Sequence, residues 1–184
     1  LDCGFDFYAP QSFVDGGRRL LIGWMGMPDA DYANPTVANG WQHCLTVPCE
    51  LKRDGERLVR IPAREISVLR GEHIPTERAQ VFDMVCRTEA VGRLVIRGAA
   101  VVEWDEQQLS LTLVQGGAGR TVRYADVDVV RNLRVLADTS SLEIFVNGGE
   151  QVMTTRYYPD PASCGVQMEG AQAEIWAMGA LQIQ

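Results

Sequence analysis

The sequence predicts an all-β protein whose short antiparallel strands pack as a sandwich or barrel. Three observations support this fold class. Runs of β-branched and aromatic residues recur along the whole chain, whereas patterns typical of amphipathic helices are scarce. Turn-forming groups such as Asp15-Gly16-Gly17 and Asp54-Gly55 separate the runs. With 184 residues and 46% hydrophobic content, the chain is also large enough to bury a core.

The predicted strands follow one another at short and nearly regular intervals. Each is an alternating or β-rich run bounded by turn residues. In chain order they are 18–24, 57–61, 80–87, 93–96, 101–104, 108–114, 121–124, 132–137, 141–146, 152–158, 164–169 and 173–177.

The clearest hairpin lies in the last third of the chain. Residues 142–146 alternate in character, which places Leu142 and Ile144 on one face of a strand and Glu143 on the other. Asn147-Gly148-Gly149 follows and tolerates positive φ. A return strand begins directly after it, so we predict a tight antiparallel hairpin.

A region without periodicity interrupts the strands between residues 27 and 40. It is rich in Pro, Asn, Asp and Ala and predicts a boundary between a small β segment, 1–26, and a main β domain that begins near residue 50. The small segment holds at most two strands, and an isolated two-stranded hairpin is marginally stable in water. Because this segment is also strongly aromatic, we expect it to need neighbours on both faces and to belong to a longer protein.

Composition argues against several classes of partner. The formal net charge of −7 predicts no binding to nucleic acid, because no basic surface is available for phosphates. No apolar run approaches the roughly 20 residues of a membrane span, so we expect no membrane partner. Five scattered cysteines without a CxxC pair favour free thiols, and we expect neither a metal nor a cofactor. His43, beside Cys44, is interpreted as a strand or turn residue.

Three blocks of sequence occur in an order and spacing that point to a known family. They are DCGFDFYAPQSF at 2–13 with RRLLIGWMG at 18–26, WQHCLTVPCEL at 41–51, and DTSSLEIFVNGGE at 138–150. Together these blocks resemble glycoside hydrolase family 32, which includes the invertases, the bacterial sucrose-6-phosphate hydrolases and the fructan hydrolases. The resemblance extends over almost the whole chain.

The resemblance implies an antiparallel two-sheet β-sandwich preceded by a partial β-propeller blade segment. Residues 1–26 would be a remnant of the last propeller blade, 27–49 a linker, and 50–184 the C-terminal sandwich. One position departs from the family pattern, since Cys49 stands where the family has Arg in Pro-Arg-Glu-Leu. A thiol cannot pair with a carboxylate in the bidentate way that Arg can, so we expect the junction to be held differently.

Retaining cleavage of a fructoside requires two carboxyl groups about 5 to 5.5 Å apart. The resemblance implies that these groups, and an Asp that steadies the sugar, lie in Asn-Asp-Pro-Asn, Glu-Cys and Arg-Asp-Pro motifs. None of these motifs occurs in this sequence. We therefore predict that the chain contains no catalytic residue and does not hydrolyse sucrose by itself.

We predict three substrate-binding residues for the complete enzyme, Asp6, Tyr8 and Trp24. Asp6 and Tyr8 have the same parity, so a carboxylate and a phenol on one strand face could bind sugar hydroxyls. The indole of Trp24 could lie against the C–H face of a sugar. In the alternative interpretation, Tyr8 and Trp24 pack between blades and Asp6 caps a turn.

Three functions are weighed. The preferred one is an accessory structural region whose partner is the N-terminal β-propeller of the parent enzyme, with possible homo-oligomer contacts. The second is an autonomous carbohydrate-binding module with Trp41, Trp104 and Trp176 as a platform, and the third is an independent hydrolase. Free thiols and the lack of an Asn-x-Ser/Thr acceptor favour a bacterial cytoplasmic parent that cleaves sucrose 6-phosphate or sucrose.

Overall fold

The structure, a computed structural model, describes residues 1–28, 30–115 and 117–181. Within these ranges the regular structure is almost entirely antiparallel β-strand, and the predicted all-β fold is confirmed. Short 3-10 helices lie at Pro35–Asn39, Arg64–Leu69 and Thr76–Arg78. No helix in the described part of the chain is long and apolar enough to cross a membrane. The end of the expected sandwich, 182–184, lies outside the described residues.

The N-terminal third of the chain forms a five-stranded sheet, named sheet A. Its strands run in the order β1-β2-β4-β5, and β3 pairs with β2. The bounds are Tyr8–Asp15 for β1, Arg18–Met25 for β2, Cys44–Leu45 for β3, Cys49–Asp54 for β4 and Arg57–Pro62 for β5.

Strands β4 and β5 belong to sheet A, although residues 50–62 were expected to open the sandwich. Cys49, Glu50 and Leu51 pair with β2, and β5 pairs with β4. The physical reason is that β2 carries buried residues such as Leu20 and Met25, while β1 is exposed along its whole length. β2 therefore needs neighbours besides β1: β4 pairs with it at Leu20, and β3 pairs with it at Met25.

The rest of the chain forms a nine-stranded sheet, named sheet B. Its strands run in the order β10-β9-β8-β7-β11-β12-β13, and β14 pairs with both β6 and β7. The bounds are Arg70–His73 for β6, Phe82–Ile96 for β7, Ala100–Trp104 for β8, Gln108–Leu113 for β9, Val122–Asp126 for β10, Asn132–Ala137 for β11, Ser141–Val146 for β12, Gln151–Arg156 for β13 and Val166–Met178 for β14.

Sheet B folds over on itself through its two longest strands, β7 and β14. The sequence predicts four shorter strands in their place. The first half of β7 pairs with β11, its second half pairs with β8, and β14 follows both halves. Gly170, at the bend of β14, has φ +63°, and a Cβ there would lie 2.2 Å from the Val91 carbonyl oxygen. The two layers therefore share β7 and β14 and enclose one apolar core.

The hairpin between β12 and β13 forms as predicted. Asn147, Gly148 and Gly149 have φ values of 49°, 70° and 92°. The turn also contacts sheet A, because the Arg60 amide donates a hydrogen bond of 3.0 Å to the Gly149 carbonyl. A Cβ on Gly149 would lie 2.1 Å from the Arg60 carbonyl oxygen, so glycine permits this close approach.

Candidate functional site

The first seven residues run along the free edge of β13 in sheet B. The Cys3 amide donates to the Val152 carbonyl at 2.8 Å, and the Phe5 amide donates to the Thr154 carbonyl at 2.9 Å. Phe5 is buried and belongs to the apolar core of sheet B. The beginning of the expected blade remnant thus ties sheet A to the sandwich before β1 begins.

Asp2 forms a buried ion pair at this junction. Its Oδ2 accepts hydrogen bonds from Arg60 Nη2 and from Thr154 Oγ1, both at 2.6 Å. Its Oδ1 accepts from the amide nitrogens of Gly4 and Thr154 at 2.7 and 3.0 Å. The Arg60 guanidinium lies 4.3 Å from the centre of the Phe7 ring, so this arginine joins the N-terminal segment, β5 and β13.

Asp6 is also buried, with only 1% of its surface exposed. Its Oδ2 accepts from Arg120 Nη1 at 2.5 Å, from the Arg156 amide at 2.8 Å and from Thr155 Oγ1 at 3.1 Å. Its Oδ1 accepts from the Tyr32 hydroxyl at 3.4 Å. Every one of these donors comes from the linker or from sheet B and its loops, so the carboxylate is fully engaged by protein.

The structure does not place Asp6 and Tyr8 on one strand face. β1 begins at Tyr8, so Asp6 precedes the strand and points into the junction, whereas Tyr8 is 46% exposed. Residues i and i+2 share a face only within one regular strand, and Asp6 lies before the strand that contains Tyr8. A contact between Asp6 and substrate stays a prediction, and the structure gives its carboxylate an anchoring position instead.

Tyr8 and Trp24 do come together. They are direct cross-strand partners, their ring centres are 6.0 Å apart, and the planes meet edge to face. Ala9, with φ 43°, marks a bulge just after Tyr8. The ring centres of Trp24 and His43 are 4.7 Å apart. This aromatic group, named the rim cluster and made of Tyr8, Trp24 and His43, lies at one end of sheet A.

His43 is the member of the rim cluster that sequence reasoning assigned only to a strand or turn. Its Nδ1 is buried, and a Cβ on Gly26 would lie 2.6 Å from that nitrogen. The sequence signal for a close neighbour of Trp24 was Gly26, since a glycine beside a large aromatic often permits close approach of another group. That this neighbour is His43, 19 residues after Trp24, could not be identified from the local sequence.

Strand β1 is exposed along its whole length. All eight of its residues are exposed, including Phe13 and Val14, and within the described residues β1 pairs only with β2. An open strand edge with apolar side chains is a surface that natural proteins normally cover. The rim cluster lies at the end of this open strand.

Glu143 forms a second contact between the sheets. Its side chain is buried on β12, and its Oε1 accepts a hydrogen bond of 2.8 Å from the Val47 amide. Burial raises the pKa of Glu143 to about 7, while the Val47 amide and Arg60 act in the opposite direction. The sequence signal for this buried acid was the neighbouring Phe145 on the same face, because a strand that is apolar on both faces is buried on both.

Cys49, the first residue of β4, is completely buried two residues after Val47. It packs with Phe145, Leu136 and Val152, and its thiol lies 3.5 Å from the Val47 carbonyl oxygen. Burial and the Glu143 carboxylate raise the pKa of this thiol to about 12. Cys49 is therefore a neutral side chain at this position, and a backbone amide binds the acid at this point of the junction.

The three tryptophans of the alternative sugar platform, Trp41, Trp104 and Trp176, do not share an exposed surface. Trp104 is buried and donates from Nε1 to the Glu89 carbonyl at 2.9 Å. Trp176 is covered by the Arg70 guanidinium at 3.8 Å and by the His73 ring at 4.6 Å. Trp41 is exposed, but it lies in the linker beside Arg156. In the described part of the chain no group of three or more potential metal ligands is found.

Comparison with known proteins follows the division between the two sheets. The family model described as "Glycosyl hydrolases family 32 N-terminal domain" matches residues 1–62, which contain all of sheet A. The model described as "Glycosyl hydrolases family 32 C terminal" matches residues 101–178 in sheet B.

Similar proteins of curated function are longer than this chain. It is 39% identical over 174 residues to the sucrose-6-phosphate hydrolase of Salmonella typhimurium, covering 86% of this chain and 36% of that protein. It is 32% identical over 184 residues to the sucrose-6-phosphate hydrolase of Bacillus subtilis strain 168, covering 89% and 38%. The chain thus spans well under half of the length of these relatives.

A solved structure shows the same fold. The sucrose-6-phosphate hydrolase from Lactobacillus gasseri superposes with a TM-score of 0.86 at 23% identity, over 97% of this chain and 42% of that one. Two models of one family match in order along the sequence, and relatives and fold agree with them. The chain therefore belongs to glycosyl hydrolase family 32 and carries parts of both its N-terminal and its C-terminal domains.

Proposed function

We propose that this chain is the C-terminal part of a retaining fructoside hydrolase that acts on sucrose or sucrose 6-phosphate. In this proposal sheet B is a structural accessory domain, and the reacting carboxyl groups belong to an N-terminal propeller. The observation that carries the proposal is the ordered match of both family models to a chain that spans about 36 to 38% of two sucrose-6-phosphate hydrolases.

The rim cluster is the part of the chain that meets the sugar in this proposal. Tyr8 offers an exposed phenol, and Trp24 offers a partly exposed indole fixed between two rings. Such a pair can bind a hydroxyl group and the C–H face of a furanose together. Asp6 has a supporting part, because its buried carboxylate fixes the chain two residues before Tyr8.

In this proposal Asp2, Asp6 and Asp15 do not catalyse cleavage in the chain alone. Asp2 and Asp6 are each held by an arginine at the junction. Asp15 lies at the exposed turn between β1 and β2, where Arg18 approaches it at 3.5 Å. A retaining pair needs two carboxyl groups facing one bond from about 5 Å apart. These three acids sit in separate pairs and do not supply that arrangement.

The proposed partner is the N-terminal propeller, which would cover the open face of β1. The exposed apolar residues Phe13 and Val14 support this contact. All five cysteines are free, which supports a bacterial cytoplasmic parent.

A hybrid enzyme tests the proposal. The matching segment of the Salmonella typhimurium relative is replaced by this chain, and hydrolysis of sucrose and of sucrose 6-phosphate is measured for the hybrid and for the chain alone. We expect turnover by the hybrid and none by the chain. Turnover by the purified chain alone, or a folded hybrid that cleaves neither sugar, would contradict the proposal.

A further inference from the structure

Glu143 occupies an unusual position between sheets A and B. It lies on β12, faces the segment that leads into β4, and is only 3% exposed. Its direct cross-strand partners, Leu136 on β11 and Thr154 on β13, are uncharged. Arg134 and Arg156 lie two residues along these strands on the same face, and their guanidinium groups bond to Asp83 and to the Ser140 and Gln42 carbonyls. The carboxyl group is thus enclosed at the contact that holds the linker and sheet A to the sandwich.

Only one oxygen of this carboxyl group is bound by protein. Oε1 accepts from the Val47 amide, whereas Oε2 meets no hydrogen-bond donor among the described residues. From sheet A and the N-terminal segment, the ionisable groups near Glu143 are Arg60 from β5, Asp2 and Cys49 from β4. Arg60 donates from Nη2 to Asp2 and Thr154, whereas its Nε and Nη1 meet no acceptor, and it forms no ion pair with Glu143 among the described residues. A buried carboxylate with one amide donor lacks the partners that normally stabilise a charge there.

We propose that Glu143 is a proton-dependent latch between the sheets: its protonated carboxyl group holds the junction closed, and ionisation loosens it. The proposal does not depend on the proposed function. It follows from a buried acid with an incomplete set of partners at an interdomain contact, opposite a residue, Cys49, that cannot carry a compensating positive charge.

The direction of the effect follows from the protonation of the two states. Burial raises the pKa of Glu143 in the folded chain to about 7, against an ordinary value of 4.5. Between these two values the folded state holds a proton that the unfolded state has released. The stabilisation is therefore complete below the ordinary value and is lost as the pH rises through about 7.

The first experiment measures thermal unfolding of the chain at about pH 5.5 and about pH 8. We expect the midpoint of the wild-type chain to fall at the higher pH. Glu143→Gln resembles the protonated acid in shape and charge, so its unfolding midpoint should fall less. At the higher pH the midpoint of the variant should therefore be above that of the wild type. Glu174→Gln, an exposed acid on β14 of the same sheet, is the matched control and should follow the wild type.

The second experiment observes the Glu143 carboxyl group directly in the wild-type chain. The carboxyl carbon of Glu143 is followed by NMR as the pH is raised, together with hydrogen exchange at the Val47 amide, corrected for its intrinsic pH dependence. We expect a midpoint near neutral pH and a loss of Val47 protection over the same range. A midpoint at the ordinary glutamate value, unchanged Val47 protection, or identical pH profiles for wild type and Glu143→Gln would each overturn the proposal.

Discussion

Asp2 and Asp6 are two buried carboxylates at the start of the chain, and each meets an arginine from a distant part of the molecule. Asp2 pairs with Arg60, 58 residues away, and Asp6 pairs with Arg120, 114 residues away. A buried ion pair adds little to folding stability compared with apolar residues in the same place, but removal of one partner leaves the other charge uncompensated. These acids therefore determine how the chain enters β1.

Asp6→Asn should destabilise the chain strongly, because Arg120 then loses its buried partner. We expect a loss of about 3 kcal/mol in the free energy of unfolding, measured by urea denaturation. Asp15→Asn is the matched control, since its side chain is 65% exposed and the change should cost less than about 0.5 kcal/mol. Equal losses for the two variants would show that the Asp6 contacts contribute little.

Trp24→Ala should weaken sugar binding by the hybrid enzyme without removing the chemical step. The indole contact is worth on the order of 1 to 2 kcal/mol, so we expect KM to rise about tenfold while kcat changes less. Tyr124→Ala, an exposed tyrosine on β10, is the control. A fall in kcat at constant KM would contradict a binding role for Trp24.

At the scale of elements, local patterns predicted the hairpins better than the long strands. The β12–β13 hairpin depends on alternation and on Asn147-Gly148-Gly149, all within a few residues. Strands β7 and β14 were predicted as separate pieces because their middle residues interrupt the alternation. Those residues are the bends by which each strand passes from one layer to the other, and only the opposing layer makes the bend favourable.

Gly170→Ala should destabilise the bend of β14. A side chain there meets both a positive φ and the Val91 carbonyl oxygen at 2.2 Å, so we expect a cost above about 1 kcal/mol in thermal or urea unfolding. Gly16→Ala is the control, because Gly16 also has a positive φ but has no atom within 4 Å of the added Cβ. If both variants lose the same stability, the close approach to Val91 has no effect.

At the scale of the whole molecule, sheets A and B are joined by polar contacts as well as by apolar packing. The N-terminal segment bonds to β13, Arg60 donates to the Thr154 hydroxyl on β13, and the Val47 amide donates to Glu143. Each contact connects the part that matches the N-terminal family model to sheet B. We therefore expect the two sheets to unfold as one cooperative unit.

Asp2→Asn should uncouple the two sheets. Arg60 would lose its carboxylate, so hydrogen exchange should accelerate in β4 and β5 more than in β11 and β12, whereas the wild-type strands exchange together. Glu65→Gln, which affects an exposed pair with Arg18, is the control and should leave this pattern unchanged. Uniform acceleration in all four strands would indicate that Asp2 stabilises the molecule without joining its sheets.

The sequence by itself determined the all-β fold, the β12–β13 hairpin and the family. These features depend on periodicity, turn chemistry and motifs, which are local along the chain. Only the tertiary structure decided that residues 49–62 join sheet A, that Asp6 is an anchor, and that Glu143 is enclosed at the junction. The physical reason is separation: Asp2 and Arg60, Val47 and Glu143, and Asp6 and Arg120 are 58, 96 and 114 positions apart, and no local pattern identifies such partners.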